Sequence, residues 1–155
     1  MNKSTTVLVV DDHRMVCDAL VALLEKTGLC KKALPAYSGE EALRVLEQHR
    51  IAIALVDIRL PGLSGSDLIK TVKQEYPNVK VIGMTSYDDE ETVQEMLLLN
   101  LTGILLKRST NSSEINACLK AAHDGKNFFS EAIQQHMQKL QHAPARSSRT
   151  HFTNR

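Results

Sequence analysis

Val7-Leu8-Val9-Val10-Asp11-Asp12 decides the fold. Four consecutive apolar residues with no alternation read as a strand covered on both faces, the pattern of a parallel sheet. Two carboxylates follow at its end. Comparable runs recur at Ala33–Ala36, Ile51–Val56, Val79–Met84 and Gly103–Leu106, each of strand length, and Pro35 places the second at a sheet edge because it cannot donate to a ladder.

Helical segments separate these runs. From His13, the residues Met15, Val16, Ala19, Leu20, Leu23 and Leu24 trace one face, with Gly28 as the stop. Ser38 and Glu41 form a capping-box pattern, a third helix starts near Ser64 or Ser66 and ends before Pro77, and Asp88-Asp89-Glu90-Glu91 suits the positive end of a fourth that Asn100 terminates. A fifth spans about Ser112 to Asp124, and Ser130 caps one more carrying Ile133, Met137 and Leu140. Leu97, Leu98, Leu99 and Leu101 form an apolar cluster wider than one helical stripe, read chiefly as core. Five-fold alternation of strand and helix gives right-handed crossovers and an α/β, doubly wound, five-stranded parallel sheet in the flavodoxin-like order 2-1-3-4-5.

The chain of 155 residues, 43% hydrophobic and 24% charged, is about the size of one domain and can bury a core, which excludes a long disordered protein. Its net charge of +1 gives no field of the kind that binds nucleic acid or membranes. A composition boundary lies near residue 131, after which Lys139, Arg146, Arg149 and Arg155 stand without any acid. No apolar run approaches a membrane span and no signal-peptide core follows Met1, so the expected location is cytoplasmic. Cys17, Cys30 and Cys118 lack the spacing of a disulfide framework or a zinc site and read as reduced thiols, and the scattered His as solvated or helix-end residues.

In a parallel sheet the residues just beyond the strands collect along one edge, where open α/β folds bind ligands. Asp11 and Asp12, Asp57, Thr85 and Ser86, and Lys107 therefore converge. Two like charges about 4 Å apart repel by about 4 kcal/mol at an effective dielectric of 20, so clustered acids call for a hard cation, and Mg²⁺ suits carboxylates with room for retained water. Two acids on one strand can hold metal while the lone Asp57 serves as a nucleophile, as carboxylates do in aspartyl phosphates. Lys107 and the Thr85 hydroxyl supply the charge neutralisation that phosphoryl transfer needs. A flavodoxin-like cofactor binder would need a hydroxyl- or glycine-rich loop where Asp11-Asp12-His13-Arg14 stands, a P-loop enzyme would need G-x-x-x-x-G-K, and an aspartyl-phosphate phosphatase a second acid where Arg59 stands.

Val9-Val10-Asp11-Asp12-His13-Arg14, Val56-Asp57-Ile58-Arg59-Leu60-Pro61-Gly62 with Gly65, Met84-Thr85-Ser86 and Gly103-Ile104-Leu105-Leu106-Lys107 together resemble the receiver domain of two-component response regulators over about residues 5–125. The resemblance implies that Asp57 is the phosphoacceptor, that Asp11, Asp12, Asp57 and the backbone carbonyl of Arg59 hold Mg²⁺, that Thr85 is the switch hydroxyl and Lys107 the phosphate-contacting lysine. The donor it implies is a phosphohistidine on a sensor histidine kinase or phosphotransfer protein. Such a domain signals and is no enzyme beyond its own phosphorylation and dephosphorylation; its readout is a shift of the fourth helix, fifth strand and fifth helix that controls dimerisation and transcription.

Asp11-Asp12-His13-Arg14, Leu105-Leu106-Lys107-Arg108-Ser109 and Ala121-Ala122-His123-Asp124-Gly125 resemble the NarL/FixJ subfamily, and Phe152-Thr153-Asn154-Arg155 resembles the start of its helix-turn-helix domain. Residues 1–128 are expected to form the receiver and 129–155 a C-terminal helix and basic linker, so that DNA is reached only through a domain absent from this chain. A natural stand-alone receiver acting through protein contacts is the alternative. Two positions depart from the family pattern: Ile104 stands where an aromatic coupled to the switch hydroxyl is usual, and Arg108 where proline is common.

Overall fold

The computed structural model describes residues 5–142. The chain runs β1 (Thr6–Val10), α1 (Arg14–Lys26), β2 (Lys32–Ala36), α2 (Gly39–Gln48), β3 (Ile53–Asp57), α3 (Gly65–Glu75), β4 (Lys80–Thr85), α4 (Glu90–Leu97), β5 (Gly103–Leu106), α5 (Ser112–His123), β6 (Phe128–Phe129) and α6 (Glu131–His142). All strand pairs are parallel, in the order β2-β1-β3-β4-β5-β6. The doubly wound order expected from the sequence is present with the Pro35 strand at its edge. The expected count of five is corrected to six: Phe128 and Phe129 add a two-residue strand beside Gly103 and Ile104, too short to register as an apolar run.

Continuously apolar strands alternate their side chains between two cores. Leu8, Val10, Ala54, Val56 and Ile104 face the buried sides of α2, α3, α4 and α6, whereas Val7, Val9, Ile53, Leu55, Ile82, Met84 and Leu105 face α1 and α5. Short polar residues start most helices. Ser38, Ser64, Asp89 and Asn111 each accept a backbone N–H from three residues ahead, and such caps stabilise a helix by about 1 kcal/mol each. Glu41 completes the Ser38 box one residue early, accepting the N–H of Tyr37. Gly28, Asn100 and Gly125 adopt positive φ beyond α1, α4 and α5, as the sequence stops require.

At Ser130 the expected cap is only half made. Its carbonyl accepts the Gln134 N–H, but its buried hydroxyl has no hydrogen-bond partner. The helix it precedes is docked: Ile133 is fully buried in the α4-side core, with Met137 packed against it. Of the leucine cluster, Leu99 and Leu101 are buried and Leu98 is 87% exposed. The three cysteines are free and buried, with burial pushing Cys17 up to about 11 and Cys118 up to about 12, which makes them poor nucleophiles. The basic tail beyond residue 142, including Phe152–Arg155, lies outside the described residues.

Candidate functional site

Strand register builds the site. Val10 pairs with Val56, Asp57 with Met84 and Thr85 with Leu106, so Asp11, Asp57, Thr85 and Lys107 end their strands along one edge of the sheet. Asp11 and Thr85 are fully buried and Asp57 nearly so.

The Lys107 ammonium sits between two carboxylates, 2.6 Å from Asp11 Oδ2 and 2.9 Å from Asp57 Oδ2. The other Asp57 oxygen, Oδ1, accepts the Arg59 N–H at 2.9 Å, which closes the loop back on the Asp57 side chain. Burial pushes the Asp57 carboxyl above its ordinary value, with repulsion from Asp11 adding to it and the bonds from Lys107 and Arg59 opposing it. Burial would lower the Lys107 ammonium, but its bonds to Asp11 and Asp57 outweigh this and the net direction is upward. Both groups thus bind their protons more tightly than in water. The lysine stays charged, and the carboxylate is held at a cost that a nearby cation reduces.

A cation fits the donors present. Ligand atoms of Asp11, Asp12, His13 and Asp57 lie within 4.8 Å of one another, and Asp12 Oδ1 is buried with no hydrogen-bond partner, with His13 Nδ1 3.6 Å away. An orphaned anionic oxygen in such a cluster is the signature of a missing positive partner. His13 is the residue that sequence reasoning left at a helix end. It does begin α1, but its ring also lies 3.2 Å from Asp11 Oδ1. Its adjacency to Asp11 and Asp12 was the available signal.

Of the predicted residues, Asp11, Asp12, Asp57 and Lys107 come together. Thr85 ends the correct strand, but its hydroxyl is turned elsewhere: Oγ1 accepts the Tyr87 N–H at 3.0 Å and donates to the Tyr87 carbonyl at 2.9 Å. Ile104, at the position expected to be aromatic, is fully buried core. Arg108, next to Lys107, bonds outward to the Ser86 carbonyl and to Asp88, and Asp88 also faces His136 of α6 at 3.8 Å. The loop after β4 is therefore tied both to the end of β5 and to the terminal helix.

A doubly wound parallel sheet with an acidic pocket and a bridging lysine at its carboxyl edge belongs to the open α/β class whose functional site lies beyond the strand ends. The family model for the response regulator receiver domain matches residues 7–120, and the chain belongs to that family: it is a receiver domain of the two-component type. Among curated relatives it is 28% identical over 127 residues to the transcriptional regulatory protein MctR of Rhizobium johnstonii, covering 82% of this chain and 59% of that protein. It is 29% identical over 116 residues to the probable transcriptional regulatory protein NarL of Mycobacterium tuberculosis, covering 75% and 54%. These relatives are regulators of the NarL type, and this chain spans little more than half their length. In fold it matches the isolated receiver domain of RcsB from Salmonella enterica serovar Typhimurium, with a TM-score of 0.78 at 23% identity over 86% of this chain and 98% of that one. Among the described residues no helix is long and apolar enough to cross a membrane.

Proposed function

We propose that Asp57 accepts a phosphoryl group from a phosphohistidine of a sensor histidine kinase or phosphotransfer protein. The observation that carries this is the Lys107 bridge: one ammonium within 3 Å of both Asp57 and Asp11 offsets part of the cost of burying the Asp57 carboxylate and can follow a phosphoryl oxygen once one is attached. An Asp57 carboxylate oxygen attacks phosphorus, the P–N bond breaks, and its electron pair leaves with the imidazole, giving an acyl phosphate. Asp11, Asp12, Asp57 and the Arg59 carbonyl would hold Mg²⁺, which supplies neutralisation of phosphoryl charge. The Arg59 N–H holds Asp57 Oδ1 and so fixes the carboxylate plane for in-line attack. Lys107 neutralises a second oxygen. Thr85 reaches the third only by giving up Tyr87, and that exchange is the switch. Hydrolysis of the acyl phosphate at the same site returns the domain to its starting state.

The modification adds about −1.5 to −2 charges and three acceptor oxygens. It draws in Thr85 and Lys107, moves the loop from Ser86 to Asp89, and shifts the face made by α4, β5 and α5. Dimerisation and transcriptional output follow in the cytoplasm, with the expected boundary after residue 128 moved outward, because β6 takes in Phe129 and α6 is docked on the receiver core, and with a DNA-binding domain further along the whole protein. The NarL-type relatives support this over a stand-alone receiver. Incubation with labelled acetyl phosphate tests it: the parent chain should retain label only with Mg²⁺, and Asp57→Asn should retain none. Label on Asp57→Asn, or a parent that stays unlabelled with donor and metal, refutes the assignment.

A further inference from the structure

Arg59 enters the proposed site through its backbone alone, yet its side chain bridges to α4. Nη2 donates to Thr92 Oγ1 at 2.7 Å, and Nη1 lies 3.5 Å from Glu95 Oε1, both partners being on α4. Glu95 Oε2 in turn accepts the Ser66 hydroxyl of α3 at 2.6 Å. Thr92 is buried, and its hydroxyl also donates to Asp89, the cap of α4. One guanidinium therefore ties the loop after β3 to α4 and, through Glu95, to the first turn of α3.

The two ends of this tie differ in freedom. Arg59 is fixed at its main chain, since its own N–H holds Asp57 and the neighbouring Ile58 N–H bonds the Met84 carbonyl. Thr92 is fixed to Asp89, two residues after Tyr87, and Tyr87 is what the Thr85 hydroxyl holds. If Thr85 turns inward, Tyr87 is released, the loop and the Asp89 cap move, and Thr92 moves with them. The Arg59 main chain does not share in that movement, so its side-chain bonds must be stretched or remade.

We propose that the Arg59 side chain is a positioning group that pins α4 to the acceptor loop while Thr85 is turned to Tyr87, and thereby opposes the shift that modification of Asp57 drives. The inference rests on the phosphoacceptor reading above. A ligand moves a two-state equilibrium only by its differential affinity for the states, so loosening a pin that favours one state tightens apparent binding of whatever favours the other.

The test uses beryllofluoride with saturating Mg²⁺, its bound fluorine resonance read by NMR, on the full chain. Arg59→Ala should bind roughly three- to tenfold more tightly than the parent, the range expected for one charge-assisted bond discounted for partial exposure. Arg59→Lys should fall between. Thr92→Val, which alters no charge, should shift affinity the same way with its Mg²⁺ affinity unchanged, and the double variant should gain no more than the larger single one. Hydrogen exchange of the α4 amides should already be faster in Arg59→Ala with neither Mg²⁺ nor beryllofluoride added. Affinity unchanged or weakened in both single variants, full additivity, or unaltered α4 exchange overturns the pin. Failure of the phosphoacceptor reading looks different: the parent then takes up no beryllofluoride, or Asp57→Asn does, while the α4 exchange comparison still decides the role of Arg59.

Discussion

Gly65 sits where α3 begins, against the end of the acceptor strand, and a methyl group added there has nowhere to go. A Cβ at this position would lie 2.1 Å from the Asp57 carbonyl oxygen, 2.6 Å from Ile58 Cα and 2.7 Å from the Ile58 carbonyl oxygen. All three are backbone atoms of the segment that presents Asp57, so relief requires the start of α3 to move by about 1 Å, and Leu68, Ile69 and Val72, all buried, ride on that helix. Overpacking of this kind costs about 1–3 kcal/mol, and the rigidity of the neighbours places Gly65→Ala at the upper end, offset by less than about 1 kcal/mol of gained helix propensity. The contrast is Gly83, in the middle of β4, where the added Cβ would meet Met96 Cε at 2.6 Å and Leu101 Cδ1 at 2.7 Å. Those are the far ends of flexible side chains that can turn aside, and the strand gains rigidity from losing a glycine, so Gly83→Ala should cost no more than about 1 kcal/mol. Urea unfolding should show a lower midpoint for Gly65→Ala with an unchanged slope, and its thermal midpoint should fall by about 5–10 °C at roughly 2–4 °C per kcal/mol. Because the displaced atoms belong to Asp57 and Ile58, labelling by acetyl phosphate should slow in Gly65→Ala and not in Gly83→Ala. If Gly65→Ala unfolds within about 0.5 kcal/mol of the parent, or Gly83→Ala proves the more costly, the argument that backbone contact decides the penalty is wrong.

Asp57 carries a pH signature. Its folded carboxyl is raised, chiefly by burial, so its contribution is fully present below the ordinary carboxylate value and is lost as pH rises through the raised one; without Mg²⁺, thermal stability should fall across that window in the parent and stay flatter in Asp57→Asn. Asp88 has the opposite sign, since its bond from Arg108 holds it below the ordinary value, so its contribution is lost as pH falls below the ordinary value and, being exposed, should vanish in high salt; Arg108→Ala melts at low pH and two salt concentrations check this. Ile133→Asp puts a charge into a fully buried site and should release α6, seen as fast hydrogen exchange over residues 131–142 with β1, β3 and β4 still protected; loss of protection throughout would show that α6 is not a separable unit. Ser130→Ala removes a buried hydroxyl that has no partner and should be neutral or stabilising by up to about 1 kcal/mol in urea unfolding.

What could be read from the sequence was whatever depends on runs and spacing. Val7–Val10 and Ile53–Val56 are apolar at every position because both faces are covered, and that alone fixes a parallel sheet. The strand ends then bring Asp11, Asp57, Thr85 and Lys107 to one edge without any knowledge of side-chain conformation. What could not be read depends on rotamers or on which surface receives an amphipathic helix. Ile133 and Met137 announce an apolar stripe, but only tertiary packing decides that it lies over α4 and β5. The Thr85 hydroxyl bonds Tyr87 on both its donor and acceptor sides, a rotamer that residue spacing does not encode. Phe128 and Phe129 form a strand only because β5 offers its free edge, a context that two residues cannot encode. Arg59 could be read only for its backbone, because its side chain finds Thr92 33 residues away.

The position of α6 bears on how a signal would leave the domain. The face made by α4, β5 and α5 is the proposed output, but α6 already covers part of it, with Ile133 inside the α4-side core. The same helix reaches the loop after β4 through His136, 3.8 Å from Asp88, and Asp88 is held by Arg108, the residue following Lys107. Any movement of Ser86 to Asp89 that loosens Asp88 therefore acts on both the end of β5 and the helix that leads out of the receiver. A partner need not bind the open face to sense the change. Arg108 is more than half exposed, so its pair with Asp88 is individually weak and easily remade, while the buried Ile133 keeps α6 seated on the core.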